Sequence, residues 1–289
     1  MAEQDPTPEE VRRVWARRWP QSPFAGGTSL EARLASLYAG ALRGGIGSRR
    51  VTEEVECAAG QLAGLRALEP GTGTGLLAAA VARKGARTTI LDVSEGALSI
   101  AVGTFERAGL ETEAVLGSVF ELPFPDGSFD VVFNSGLLEH FETERRRAAL
   151  DEMLRVLTAD GVCVTFNPNA RARLYRRLKA AAERRGTWDV GVELPIETLA
   201  DVVDVERYEL EEHSFGVFMQ LHFLKYVLPR PLGLAAGALG ELLEIALGRL
   251  VRAPGYLLVS VIRARPLTAS PRPPATSPAR RDERSSAAP

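Results

Sequence analysis

A chain of 289 residues with 45% apolar and 25% charged side chains is ordinary for a soluble globular protein and long enough for one large domain or two small ones. A formal net charge of -2 supplies no global basic field for a nucleic-acid partner, and two cysteines, Cys57 and Cys163, make neither a disulfide framework nor a zinc set. The longest apolar run, 231–240, is too short to span a bilayer; with an acidic, Pro-containing start unlike a signal peptide, the cytoplasm is the expected compartment.

In chain order, residues 1–27 read as a tail and lead-in. "TSLEARLASLYAGALRGG" then opens with Thr28 and Glu31 at capping-box spacing and carries Leu30, Leu34, Leu37 and Ala41 on one face, a helix ended by glycines. A second helix is expected over 49–63. Short apolar runs at 65–71, 87–94, 112–118, 129–136 and 161–168 then alternate with helical patterns at 75–84, 95–108 and 142–157. That alternation predicts a parallel sheet covered by helices on both faces. Two later runs, 206–214 and 256–264, suit an edge hairpin. Residues 266–289 are rich in Pro, Ser, Ala and Arg and predict a disordered tail, because they lack the apolar surface to offset ordering entropy. The expected domain is therefore 28–265, with a core at 60–170.

The stretch "LEPGTGTG" places Gly71, Gly73 and Gly75 behind Glu69, at the carboxyl end of the first strand and the start of a helix. Ligands sit at that edge of an open parallel sheet, and glycine lets backbone approach them closely. A dinucleotide turn would need a third glycine where Leu76 stands, and no Lys-Ser/Thr pair follows as in a phosphate loop. The bland alternative is a plain tight turn. Asp92 ends the second strand, where a carboxylate can accept hydrogen bonds from both hydroxyls of a ribose. It can equally cap the next helix, although Ser94 is available for that. A ribose-bearing ligand without phosphate fits this combination.

In order along the chain, "LEPGTGTG", "ILDVSEGAL", "GSVFELPFPDGSFDVVFNSGLLEHF" and "LDEMLRVLTADGVCVTFNPN" resemble the motifs of class I S-adenosylmethionine-dependent methyltransferases, in particular the small-molecule enzymes that include those of quinone biosynthesis. The resemblance covers roughly 60–170. It implies a Rossmann-like α/β fold, a seven-stranded, mostly parallel sheet with helices on both faces; the residues themselves add a helical N-terminal region and a helical insert at 215–254, where the family often has a short turn. It also implies S-adenosyl-L-methionine as cofactor, with Gly71, Gly73 and Gly75 along its methionine part and ribose and Glu69 toward its amino group. Asp92 would hold the ribose hydroxyls and Val93 would lie against the adenine. Ser118 stands where the family usually has an acid bonding the adenine, with Val119 or Phe120 supplying contact, and Asn134 and Ser135 would face the methionine end and the substrate.

Methyl transfer to a hydroxyl needs a proton acceptor, and of three histidines His140, just beyond the fourth strand, is the candidate base; a helix-terminal or positional role is its alternative. No metal is expected. The chain has "NSGL" where amino-group methylating enzymes carry Asn/Asp-Pro-Pro-Tyr, neither cysteine sits in a Pro-Cys pair, and no basic patch is interleaved with aromatics. A small, apolar acceptor methylated at oxygen is the leading reading, with no nucleic-acid partner. Carbon or nitrogen methylation and a cofactor-binding protein without turnover are the alternatives. Residues 170–185 carry seven basic residues and one acid, a pattern for peripheral membrane contact or for a solvated arginine-rich helix. The apolar insert 215–254 reads as a lid over the cleft, a homodimer face or an extension of the core.

Overall fold

Five apolar runs form parallel strands because each is flanked by a helix that can cover it. The computed structural model describes residues 46–188 and 191–265. The helix expected from Thr28 and both chain ends lie outside the described residues.

Helix α1 (Ile46–Ala59) precedes β1 (Arg66–Pro70), α2 (Leu76–Ala82), β2 (Arg87–Asp92), α3 (Glu95–Ala108), β3 (Glu113–Leu116) and β4 (Phe129–Ser135). Then come α4 (Thr143–Arg155), β5 (Leu157–Pro168), α5 (Arg173–Arg184), β6 (Tyr208–Phe215), α6 (Arg230–Leu247) and β7 (Leu257–Ala264). The strands form one seven-stranded sheet in the order β3-β2-β1-β4-β5-β7-β6. β1 to β5 pair in parallel, while β7 runs antiparallel between β5 and β6, with Pro168 opposite Leu257 and Phe215 opposite Leu257.

Expected and observed elements differ at their ends for local reasons. The second helix stops at Ala59 rather than 63, with Gly60 at φ 77, a conformation glycine adopts without strain. β5 begins at Leu157, four residues early, because Phe129 N donates to Val156 O at 2.9 Å and draws the segment onto β4 before a register shift. Helix α3 spans 95–108 as expected, capped by Ser94, whose side chain accepts from Ala97 N, and ended by Gly109 at φ 63.

Strand alternation sorts the core into two layers. Ala67, Ile90, Val131, Phe133, Val164 and Phe166 pack under α1, α2 and α3. Leu68, Leu91, Val132 and Cys163 pack on the opposite face against Leu150 and Met153 of α4 and against Ile196 and Leu199. Strand order reverses between β1 and β4, where helical connections depart to opposite sides and leave a crevice at the carboxyl edge. Arg155 pins the rim of that crevice: its guanidinium donates to Glu152, Asp126, Leu122 O and Phe124 O, tying the 118–127 loop to α4.

Helix α2 starts from Gly75 at φ 67, and a Cβ there would lie 2.8 Å from Ala101 Cβ and 3.0 Å from Ala101 Cα on α3. Gly75→Ala is therefore expected to cost roughly 2 to 4 kcal/mol, from left-handed strain plus overpacking against backbone. Urea unfolding of the variant checks this; a loss below about 0.5 kcal/mol would contradict the tight packing of α2 on α3.

Candidate functional site

The carboxyl ends of β1 and β2 bring two buried acids to the same face of the sheet. Glu69 is 4% exposed and Asp92 is 7% exposed. Glu69 Oε2 accepts from Thr72 Oγ1 at 2.7 Å and from Ala78 N at 3.2 Å. Asp92 Oδ2 accepts from Gly73 N at 3.0 Å and Oδ1 from Ser94 N at 2.9 Å. Burial, reinforced by the Asp92 charge, pushes Glu69 up to about 8. Burial also raises Asp92, opposed by its bonds to the Ser94 and Gly73 amides. Glu69 Oε2 already accepts from two donors, so a ligand donor would meet its Oε1, while each Asp92 oxygen keeps a second lone-pair direction.

The three glycines divide their tasks. Gly71 and Gly73 take φ 67 and 53, which keeps the turn tight behind β1. A Cβ on Gly71 would meet the Leu137 side chain at 2.7 Å, so this turn lies against the segment after β4. Gly75, expected to line the cofactor, is instead required by the contact of α2 with Ala101.

The remaining sequence-derived positions fall on both sides of the crevice floor. Val93 is half-buried after β2, and Gly117 N donates to Asp92 O at 3.0 Å, which brings the Ser118 loop beside it. Ser118 Oγ accepts from Phe120 N at 3.2 Å, an internal turn bond. Val119 is buried in the core layer beneath, whereas Phe120 is half-buried under the Arg145 guanidinium. Asn134, expected to face the methionine end, is fully buried and donates from Nδ2 to Met153 Sδ at 3.5 Å. It shares a sheet face with Val132, and strand alternation turns that face toward α4. Cys163 is buried in β5, and burial pushes its thiol up to about 12, which excludes a thiolate nucleophile at neutral pH.

His140 sits in the short 3-10 turn Leu138–His140 after β4. Its Nδ1 lies 2.6 Å from Val192 O; a carbonyl only accepts, so Nδ1 carries the proton and the lone pair is on Nε2. The other histidines are engaged elsewhere, His213 with Glu54 of α1 and His222 with Glu241 of α6, each at 2.9 Å.

Around His140 the structure assembles groups that spacing did not reveal. Glu139 is 2% exposed, its Oε2 has no partner among the described residues, and burial plus the nearby Glu193 charge push it up to about 8. Buried Arg146 donates from Nε to Leu138 O at 3.1 Å and from Nη2 to Phe141 O at 2.9 Å, fixing the turn that presents Glu139 and His140. Buried Glu193 accepts from the Tyr175 hydroxyl, and Tyr175 packs edge-on against Phe223 and Tyr256. Adjacency in "LLEHF" was the one signal for Glu139; Glu193 arrives through a loop that meets the 138–140 turn only in the fold, with Leu194 N on Glu139 O at 2.7 Å. Among the described residues no group of three His, Cys, Asp or Glu side chains is placed to hold a metal ion.

A family model described as a methyltransferase domain matches residues 67–161. A ubiquinone biosynthesis O-methyltransferase of Ruegeria pomeroyi is 40% identical over 110 residues, which cover 38% of this chain and 44% of that one. Across the curated relatives the match spans between 31% and 55% of their length. Among solved structures, the magnesium protoporphyrin IX methyltransferase of Synechocystis PCC 6803 with bound SAH superposes with a TM-score of 0.55 at 15% identity, covering 89% of this chain and 99% of that one. The [4+2]-cyclase SpnF does so with a TM-score of 0.55 at 18% identity, covering 92% and 98%. Both show the shared fold.

The two raised acids have a consequence for stability. Glu69 and Glu139 have ordinary values of 4.5 and stand at about 8 in the fold. Between those limits the folded, ligand-free protein holds more protons than the unfolded chain, so stability is greatest below about pH 4.5 on their account and declines as pH rises toward 8. Each group contributes a slope of up to about 1.4 kcal/mol per pH unit. Glu69→Gln is expected to flatten the profile by one such increment in urea melts across this range; an unaltered slope would show that Glu69 ionises normally.

Proposed function

We propose that this chain, whose residues 67–161 are a class I S-adenosylmethionine-dependent methyltransferase domain, transfers a methyl group to the oxygen of a small apolar acceptor. The observation that carries the cofactor reading is the pair of buried carboxylates, Glu69 and Asp92, at consecutive strand ends around the Gly71–Gly73 turn. A phosphate would meet two acids there and no Lys or Arg between Ala67 and Ala82. A nucleoside carrying an ammonium and a sulfonium meets complementary charge. When bound, the cofactor supplies a methyl group on a positively charged sulfur.

The chain's residues then have separable tasks. Asp92, held by the Gly73 and Ser94 amides, presents its remaining lone pairs to ribose hydroxyls. Glu69, raised by burial, ionises more readily when an ammonium lies beside it. On the acceptor side, the tautomer of His140 puts a lone pair on Nε2, suited to accept a hydroxyl proton. Asn167 Oδ1 and Glu139 Oε2, buried at or just beyond the ends of β5 and β4, lack a donor among the described residues. Unpaired acceptors there favour an acceptor molecule that brings an O–H or N–H. The name of the Ruegeria relative favours oxygen over nitrogen. The aromatic group Tyr175, Phe223 and Tyr256 favours an apolar acceptor body.

Two measurements test this. Calorimetric titration with S-adenosylmethionine is expected to show binding that Asp92→Asn weakens about 10- to 100-fold, the loss of charge-assisted hydrogen bonds; saturable binding of a nicotinamide dinucleotide instead would overturn the cofactor assignment. With the product identified by mass spectrometry after incubation with labelled cofactor and metabolite extract, His140→Gln is expected to lower kcat about 100-fold or more while cofactor affinity holds. Near-normal turnover would leave His140 a positional residue.

A further inference from the structure

Helix α6 is inverted relative to an ordinary surface helix. Its inward side carries Gly233, Gly237, Gly240 and Glu244, and its outward side carries leucine and isoleucine. At two of these glycines backbone passes close beneath: a Cβ at Gly233 would lie 2.5 Å from Lys225 Cα, and one at Gly240 would lie 2.6 Å from Phe218 O. Glu244 points inward and accepts from Gly216 N and Phe218 N at 3.1 and 2.8 Å, with Arg50 of α1 at 3.5 Å. These contacts fix the rotation of the helix. Leu232, Leu239, Leu242 and Ile245 are consequently 51% to 65% exposed on one side, and Leu250, just beyond the helix, is 75% exposed. Isolated exposed leucines are common on surfaces, but a contiguous stripe along about five turns of helix marks an interaction surface.

Charge selects the occupant. The two acids of α6 are turned away from the stripe, Glu244 into the protein and Glu241 onto His222. The charges that follow it outward are Arg249 and Arg252, both exposed. Next to this unit, α5 packs on the 218–226 turn, with Arg185 Nη1 donating to Val227 O, and exposes Arg173, Arg176 and Arg177. An apolar stripe flanked by cations, with every acid of its helix withdrawn, is complementary to an anionic lipid surface, where the side chains enter the acyl boundary and the arginines meet headgroups. A second copy of the chain would bring the same cations against these. No helix among the described residues is long and apolar enough to cross a membrane, so the contact would be peripheral.

We propose that the outward face of α6, flanked by Arg249 and Arg252, is a peripheral docking surface for anionic membranes. The test is co-sedimentation of the full chain with vesicles of phosphatidylcholine alone and of phosphatidylcholine containing phosphatidylglycerol, with size-exclusion chromatography and light scattering alongside. Binding is expected on the anionic vesicles and little on the neutral ones. Leu242→Asp combined with Ile245→Asp should lower the bound fraction at least about tenfold, and Arg249→Glu combined with Arg252→Glu should lower it on anionic vesicles and leave it unchanged on neutral ones. Because these four side chains are exposed, melting temperature and calorimetric affinity for S-adenosylmethionine should stay at wild-type values in both variants, which separates this surface from the cofactor site. Failure to pellet with anionic vesicles overturns the proposal. So does unchanged pelleting of the Leu242/Ile245 variant, or a dimer abolished by that variant in a protein that ignores lipid.

Discussion

The carboxylate of Asp92 sits where three parts of the chain converge. Its two oxygens hold the amide of Gly73 in the turn after β1 and the amide of Ser94 at the start of α3. Its own carbonyl receives Gly117 N from the loop after β3, while Thr72 N donates to Leu91 O one residue earlier. The glycine turn, the first residues of α3 and the Ser118 loop are thus positioned by one strand end. Removing the carboxylate would leave two largely buried amides without their acceptors, at about 1–3 kcal/mol each. That charge is held next to a second buried acid, Glu69, and neither has a side-chain cation as a hydrogen-bonded partner. The arrangement is costly without ligand and complementary to a cation with it, so folding stability and ligand affinity are coupled through the same two groups.

On the other side of the crevice the logic is steric. Arg146 satisfies the carbonyls of Leu138 and Phe141 with one guanidinium, and its burial keeps the 138–141 turn against α4. Glu139 and His140 are thereby fixed as a unit: one carboxyl inside, one imidazole half-exposed and oriented by Val192 O. An exposed glutamate or a rotating imidazole would have neither a shifted proton affinity nor a defined tautomer.

What could be read from the chain follows from how local each signal is. Strand–helix alternation, the Ser94 cap and the Gly109 stop depend on a few neighbouring residues, and α3 was legible to the residue. Gly75 was legible as a special position but not for its reason, because Ala101 is 26 residues away and enters only through packing of α3. For Asn134 the motif marks the strand end without saying to which face the side chain alternates; its Nδ2 meets Met153 of α4. Ser94 and Asp92 were weighed as competing caps, whereas the fold uses both: Ser94 caps Ala97, and Asp92 holds Ser94 itself. The buried Tyr175–Glu193 pair left no sequence signature, since a tyrosine in an arginine-rich helix and a glutamate in a loop become partners only when α5 closes over the sheet edge.

The same locality explains how the molecule divides between shared and particular features. Residues 67–161, the part matched by the methyltransferase family, contain Glu69, the glycine turn, Asp92 and the 138–140 turn, hence the cofactor side. Tyr175, Glu193, Phe223 and Tyr256 all lie beyond it, as does the inverted helix α6. Their meeting point is still the carboxyl edge, because β7 runs antiparallel to β5 and returns Tyr256 to within one hydrogen bond of Asn169. An antiparallel last pair therefore does more than close the sheet: it carries a late, family-independent segment back to the cleft that the early strands build. The residues matched by the methyltransferase family thus carry the glycine turn and the strand-end acids, whereas the segment that β7 returns to the cleft lies outside the match.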